Sequence, residues 1–524
     1  MIAPLQIKEN YWEEFSVQKK DIEYIYNLLL DKAIPLPMDG IADEIIAFRI
    51  RDEMESLQNQ RTKHGNIYLP KDEFKVGDTL IFPAFEMQAG KVTAVREGFN
   101  PDFEELKVID VEMPSGMNRS FASGIKDHPL NHILDIQEED PNLNPEAVKS
   151  NHGEAIKERL EKSLFDNDDL VKIAGNWFPR SLLIDVHIGH LNLAEAVLEE
   201  AKGGPISTDS LMKQVELNAD ADQKLLEFSF NLALQEDLRF DEVGPAGVTL
   251  WFLKHLEPVD VQEVPIYLKF KNVEYPKDEL QPYLDLFENN LYDELETWDS
   301  PSETQNKITI SLSFPHWRSG TLPLSSTLKR MFPTAYEAPR VKFTFVDAIE
   351  NDRFPGWVVR PNKYIFGLKD WYSAHELIPG SLITVEEGKN PGEIVVSYEK
   401  SRQNKEWLKT VLVGSDQGIV FAMLKHPITA SFNDRMAIAV PDPDAVDEIW
   451  KQRIYEKEGF DKTIIRVMRE LAKLNPQGQV HAQELYAAVN IVRRCPPGLT
   501  IYHLLNSNLV NHLGDLYFQI IGKE

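Results

Sequence analysis

The chain has 524 residues, a length that predicts roughly three to five domains, each able to bury its own core. Its single cysteine, Cys495, excludes an internal disulfide framework and a multi-cysteine zinc site, and fits a reducing cytoplasm. The formal net charge of -28 looks hostile to nucleic acid, but it is unevenly placed: residues 1–304 carry a net -31, whereas residues 305–412 hold 15 basic against 11 acidic side chains and residues 450–524 carry +3. Phosphates respond to local potential, because salt screens charges beyond about 10 Å. Only the C-terminal half is therefore expected to touch DNA, and the acidic half is expected to meet proteins.

No basic-then-apolar leader opens the chain, and no apolar run approaches the roughly 18 residues of a membrane span, so a cytoplasmic protein without membrane contact is expected. Residues 19–57 predict two helices. Ile22, Ile25, Tyr26 and Leu29 form one apolar face, Pro35 and Pro37 break it, and Ile41, Ile45, Ile46 and Phe48 form the next. Between 65 and 125 the pattern changes to short alternating strands (FKVGDTLIF, AGKVTAVREG, LKVIDVEM, MNRSFA) with glycine at the turns, which predicts a small β-barrel. A β extension packed on the first helical unit, with no binding role, is the alternative. Residues 136–150 read as a linker.

Residues 151–260 read as mostly helical. LNLAEAVLEEAKGG ends at a glycine pair, TDSLMKQVEL opens on a capping residue, DQKLLEFSFNLALQEDLRF makes a third helix, and VTLWFL a closing strand. Residues 277–298 read as an acidic amphipathic helix with Leu284, Phe287, Leu291 and Leu295 on one face, covering a neighbouring domain. From 305 to 412 the chain is β again (ITISLSF, RVKFTFVD, GWVVR, SLITVEE, EIVVSYE), and 438–449 reads as a second acidic linker. Residues 460–522 then give helix, helix, helix and strand, the order of a winged helix.

One apolar pattern recurs three times: Leu36, Ile41, Ile45; Ile206, Leu211, Val215; Val480, Leu485, Val489. Each copy follows a helix closed by a Pro- or Gly-containing turn (KAIPLP, KGGPIS, NPQGQV), as where a winged helix enters its second helix. The expected fold class is accordingly α+β multidomain, with winged-helix repeats, a small SH3-like β-barrel and a β pseudobarrel. The expected domains are 1–64 (helical, winged-helix-like), 65–135 (barrel), 151–272 (middle winged-helix region), 273–304 (acidic helix), 305–437 (pseudobarrel region) and 450–524 (C-terminal winged helix).

GPISTDSLMKQVEL with VTLWFL, and GQVHAQELYAAVNI with LTIYHLLNSNL and GDLYFQI, resemble the HARE-type winged helix of the delta subunit of bacterial RNA polymerase. The first copy departs from this, since no third helix separates Glu55 from the IYLP strand. GTLPLSSTLKRMFP and the strands after it are similar to DNA-binding pseudobarrels of the plant B-three class, through Leu322, Pro323, Phe332, Pro333, Asp347, Gly356, Trp357, Trp371, Leu377, Gly380 and Ser381, the last standing where the family has Asp. The resemblance implies two arms in the major groove, here His316–Gly320 and Val358–Tyr364, which would set Arg318, Lys329, Arg360, Asn362 and Lys363 against DNA. Arg and Asn suit guanine and adenine edges, and Lys suits phosphates. FKVGDTLIFP…AGKVTAVREG looks like the Tudor- or KOW-like barrels of factors that hold RNA polymerase.

In the last winged helix Arg493, Arg494 and His503 are candidate DNA contacts, with Asn506 and Asn508 beside them and no acid between Ala487 and Gly514. A protein-facing surface is the alternative. The corresponding middle helix is acidic (Asp220, Asp222, Glu227, Glu236, Asp237), which suits protein contact. His128/His132 and His187/His190 have ligand-like spacing but no supporting motif, so neither a metal nor a cofactor is expected. Cys495 lies beside two arginines, which would lower its pKa. Asp102, Glu105 and Lys107 are the residue types of a nuclease but too close in sequence. No phosphate loop or nucleophile elbow occurs. The expectation is a non-enzymatic, bacterial-type, double-stranded DNA-binding protein that recruits partners, RNA polymerase among the candidates. A DNA-free protein scaffold and the recognition component of a modification or defence system are the alternatives.

Overall fold

The computed structural model describes residues 10–63, 66–82, 85, 88–99, 106–114, 116–126, 128–131, 141–217, 221–287, 291–296 and 306–521. They form a mixed α+β protein of two compact units, Met1–Asp185 with Asp220–Phe228, and Val186–Ala219 with Ser229–Glu524. Among the described residues no helix is long and apolar enough to cross a membrane.

The first unit opens with α1 (Lys19–Lys32), β1 (Leu36–Pro37) and α2 (Met38–Lys63). Ile25 and Leu29 are fully buried, as the periodicity predicts. A curled sheet of β2 (Asn66–Ile67), β3 (Thr79–Phe82), β4 (Gln88–Glu97), β5 (Lys107–Glu112) and β6 (Asn118–Ser123) follows in that spatial order, closed over Leu80, Phe82, Ile109 and Val111. Next come α3 (Pro145–Phe165), β7 (Leu170–Ile173) and β8 (Asn176–Pro179). Asn144 caps α3 by accepting the N–H groups of Glu146 and Ala147, and Pro145 gives up no bond at the first helical position.

The missing third helix of the first repeat is therefore α3. Its Val148, Ile156, Leu160 and Leu164 are buried, and β8 pairs with β1, with Leu36 opposite Trp177. The helical unit is discontinuous in sequence, with the five-stranded sheet inserted between its second and third helices. Residues 145–150, read as linker, open α3, and they and residues 151–179, read as part of the middle region, belong to the first unit.

After this come α4 (Ile188–Glu200), β9 (Ile206–Ser207), α5 (Thr208–Gln214), α6 (Gln223–Glu236), β10 (Phe240–Glu242) and β11 (Leu250–Leu253), with the unit boundary falling inside α6. Gly204, at φ +108°, turns the chain into β9 where a Cβ would strike the Trp251 carbonyl, so the KGGP turn needs glycine there. Short helices α7 (Val259–Gln262) and α8 (Lys277–Leu284) lead on. The helix expected over 277–298 stops at Leu284. Leu280, Leu284, Phe287 and Leu291 still pack into the core of the C-terminal module, while Leu295 is only half-buried and 297–298 lie outside the described residues.

A seven-stranded sheet follows, built from β12 (Lys307–Ser311), α9 (Phe314–Ser319), β13 (Thr321–Pro323), β14 (Arg340–Asp347), β15 (Arg353–Val359), β16 (Tyr364–Phe366), α10 (Lys369–Ala374), β17 (Leu382–Glu387) and β18 (Glu393–Tyr398). The spatial order is β12-β17-β18-β14-β15-β16-β13, with β14 and β18 parallel and the rest antiparallel. Of the residues carrying the pseudobarrel resemblance, Leu322, Phe332, Trp357, Trp371 and Leu377 are buried. Gly356 leaves room for the Phe343 ring.

Asp347 ties the sheet to α10. Its carboxylate accepts the Ile349 and Glu350 N–H groups (2.7 and 3.2 Å) and the Trp371 indole N–H (2.7 Å), and lies 2.8 Å from His375 Nε2. Burial pushes its pKa up, but these donors outweigh burial and hold it below the usual carboxylate range. Trp371→Phe, which strands one side of a charged hydrogen bond, is expected to cost about 1.5–3 kcal/mol in urea unfolding.

The chain ends with a long hairpin, β19 (Lys400–Val413) and β20 (Ile419–Ala430), then β21 (Ile438–Ala439), α11 (Pro443–Lys451), α12 (Phe460–Ala472), β22 (Gln479–His481), α13 (Ala482–Val492), α14 (Pro497–Leu505), β23 (Val510–Gly514) and β24 (Tyr517–Ile520). The acidic stretch 438–449 is not a linker. Asp442 caps α11, Pro443 starts it, and Val446, Ile449 and Trp450 are buried.

Three modules thus share one topology of helix, strand, helix, helix, strand, strand, with sheets ordered β1-β8-β7, β9-β11-β10 and β22-β24-β23. The recurring apolar pattern marks the same place in each. Its first residue lies in the lone strand opposite an aromatic (Leu36 and Trp177, Ile206 and Trp251, Val480 and Phe518), and its other two are buried on the helix that follows or, for Val215, at its C-cap.

Candidate nucleic-acid interface

The cations expected at the C-terminal module are spent inside the protein. Arg494 is buried, with Nη2 2.7 Å from Asp293 and 2.9 Å from Glu294 and Nη1 3.0 Å from Asn490. Arg493 donates to the Tyr455 and Glu458 carbonyls (3.0 and 2.8 Å) and lies 3.5 Å over the Phe460 ring, and its burial lowers its pKa. His503 stacks on the same ring, Phe460, and burial likewise lowers its pKa. Helix α14 itself is covered: the Gly498 N–H donates to Glu296 Oε1 (3.0 Å), which also accepts the Tyr275 hydroxyl (2.7 Å). A carboxylate of the chain thus sits at the helix end where a phosphate would bind. The expectation that Arg493, Arg494 and His503 face DNA is corrected by these contacts. Sequence could not show it, because Asp293, Glu294 and Glu296 lie far away along the chain.

Arg318 is corrected in the same way. His316–Gly320 is no arm: Phe314–Ser319 is helical, closed by Gly320 in the left-handed region, and His316 is buried between Thr321 and Glu294. Arg318 Nε and Nη2 lie 2.9 and 2.5 Å from the two Asp447 oxygens, and Nη2 is 3.2 Å from Asp444. Asp447 foremost, with Tyr267, raises its pKa against the opposing effect of burial.

The other predicted positions lie on two turns, one following β13 and one preceding its partner strand β16. β15 and β16 are joined by the turn 360–363, where Lys363 has φ +55°, and Asn362 and Lys363 are exposed at its tip. β16 pairs with β13, and the Leu324 N–H donates to the Lys363 carbonyl (2.8 Å), so the turn carrying Lys329 leaves the sheet beside this tip. Lys329 and its neighbour Arg330 are both exposed; Arg330, in the Leu328-Lys329-Arg330 run, is a member that the sequence reading missed. None of Lys329, Arg330 and Lys363 makes an ion pair to a described residue. Arg360 is half-buried and donates to the Ala338 carbonyl (2.9 Å). The cluster offers three free cations, a fourth that is partly held, and one exposed amide.

Two carboxyls of this unit are perturbed, half-buried Glu242 and buried Glu257. Glu242 on β10 is pushed up to about 8, by burial first and by Glu337 second, with Arg360 pulling the other way. Glu257 is also pushed up to about 8, by burial and by Asp241, against Arg340. Arg340 Nη1 is 2.6 Å from Asp241.

Asp347, Glu350 and His375 bring potential ligand atoms within 4.8 Å of one another. The donors on Asp347 already use both its oxygens, and His375 Nδ1 lies 3.3 Å from the Tyr398 hydroxyl, so the trio fastens α10 and offers no open coordination face. The Cys495 thiol is pushed up to about 12 because burial outweighs both neighbouring arginines, reversing the expected direction. His187 caps α4, accepting the Gly189 N–H. His132, Asp102, Glu105 and Asp220 lie outside the described residues. Comparison with family models, with curated proteins and with solved structures finds no match to this chain.

Proposed function

We propose that this is a non-enzymatic double-stranded DNA-binding protein, which grips the duplex at the end of the seven-stranded sheet and acts on transcription by recruiting protein partners. The observation that carries the reading is that Lys329, Arg330, Asn362 and Lys363 are exposed and form no ion pair with a described residue, on the turns that flank the paired strands β13 and β16. Lysines and arginines on two adjacent turns suit successive phosphates, and Asn362 at the tip suits an adenine edge. In this reading the seven-stranded sheet is a B-three-like pseudobarrel, and the three modules of common topology are winged helices of the HARE type. The sheet of residues 66–123 is then an SH3-like barrel. The acidic first unit would offer its surface to a basic partner, with RNA polymerase as a candidate.

A protein scaffold without DNA is the second reading. The burial of Arg494 and the covered α14 favour it, since they leave the C-terminal module no free recognition helix. Titration of the full chain with duplex DNA at increasing salt separates the two. Four phosphate contacts should cost about 100-fold in affinity between 50 and 200 mM salt. Arg330→Glu with Lys363→Glu should abolish binding while leaving the melting curve intact, because both side chains are exposed. No duplex binding at low salt would establish the scaffold.

A further inference from the structure

β19 and β20 pair continuously from Asn404 to Val413, after a register shift between Lys400 and Asn404, while β21 joins β19 only at Lys409 and Thr410. Val411, Ile419 and Phe421 of this hairpin pack into the C-terminal core, whereas Leu412, Val420, Met423 and Leu424 are 40–45 % exposed. Strand side chains alternate between faces, so Lys405, Trp407 and Lys409 of β19 share one face with their cross-strand partners Pro427, Lys425 and Met423. Trp407 is 60 % exposed, whereas the other described tryptophans are buried or half-buried. Met423 beside it is 40 % exposed, and Lys405, Lys425 and Pro427 are exposed as well. The Lys425 ammonium lies 5.2 Å from the Trp407 ring centroid, which steadies the indole from one side. Lys409 is held by the Asp434 and Arg435 carbonyls and by Glu484. These six positions include no carboxylate, and the nearest along the strand, Glu406, points to the opposite face.

We propose that this face binds single-stranded nucleic acid, with a base stacked on Trp407 over the floor of Met423 and Pro427, and with phosphates on Lys405 and Lys425. An exposed indole flanked by ammonium groups asks for a flat π surface and a negative charge together, and a nucleotide carries both in one unit. An acidic peptide would satisfy the two lysines but leave the indole face without a flat partner. The surface shares no residue with the turns 324–330 and 360–363, so the inference does not depend on the duplex reading.

The test uses the full chain and a dT oligomer, followed through tryptophan fluorescence at low salt. Quenching is expected, with an affinity that falls as salt rises. Trp407→Ala should weaken binding about tenfold or more, the loss of one stacked base. Trp407→Phe should recover most of it, and Lys425→Glu should weaken it, with thermal melts unchanged because both side chains are exposed. Arg330→Glu with Lys363→Glu should leave dT binding intact whatever it does to duplex. The proposal is overturned if dT causes no quenching, if Trp407→Ala binds as well as the parent, or if the Arg330/Lys363 variant loses dT binding. A polyglutamate peptide that binds more tightly than dT in a Trp407-dependent way would reassign the face to an acidic protein.

Discussion

Replacing Arg494 by methionine is expected to destabilise the second unit by about 3–5 kcal/mol, because it strands two carboxylates in a dry core. Arg494, Asp293 and Glu294 each have side chains no more than 3 % exposed. Asp293 also accepts the Tyr486 hydroxyl (2.7 Å), and Glu294 lies 3.0 Å from His316 Nε2. Burial alone would push Glu294 up, yet Arg494 and then His316 outweigh it and hold its pKa far below the usual range. Its contribution is thus present above the ordinary carboxylate value and fades as pH falls toward its depressed one. Urea unfolding followed by near-ultraviolet circular dichroism checks the size of the loss. Adding Asp293→Asn and Glu294→Gln to Arg494→Met should recover much of it, since apolar or neutral replacements of a whole buried cluster are tolerated better than a broken one. A loss below about 1 kcal/mol for Arg494→Met would mean that the cluster behaves like a wet surface pair.

The second large effect is on the alkaline side. Glu242 and Glu257 both have pKa values raised to about 8, so the folded protein keeps protons there that the unfolded chain, with carboxyls near 4.5, gives up. A raised value stabilises fully below the unfolded pKa, and the benefit is lost as pH climbs through the folded one. The melting temperature is therefore expected to fall from about pH 5 to about pH 8.5 and then level off. The groups facing Glu242 are Glu337, Asp241, Arg360 and the Gly244 N–H; those facing Glu257 are Asp241, Arg340 and Lys254. Arginine and lysine oppose the shift but do not cancel it. Glu242→Gln with Glu257→Gln should flatten the profile in differential scanning calorimetry. An unchanged slope in the double variant would place the proton uptake elsewhere.

Local pattern carried much of the architecture. The i, i+5, i+9 spacing of Leu36, Ile206 and Val480 with their partners is a strand residue followed by two inward helix positions, and short-range geometry alone imposes it. The same holds for the strands of the seven-stranded sheet, apart from β13 and β16, which at three residues each are too short to show alternation. Hidden from such a reading was the third helix of the first module, since a separately closed sheet can be inserted in a turn without disturbing the periodicity on either side.

Charge was the least legible quantity. Net positive sequence around Arg318, Arg493 and Arg494 suggested an exposed basic face, yet folding matched each to acceptors tens to hundreds of positions away. Whether a cation is free is settled by what the chain brings beside it, because Coulomb attraction acts through space and takes no account of sequence separation. Among the described residues Lys329, Arg330 and Lys363 form no ion pair, each standing exposed on a turn. By itself the sequence determined most element types, the repeated module and which residues could carry charge; the tertiary structure alone decided which of those charges remain available to a partner.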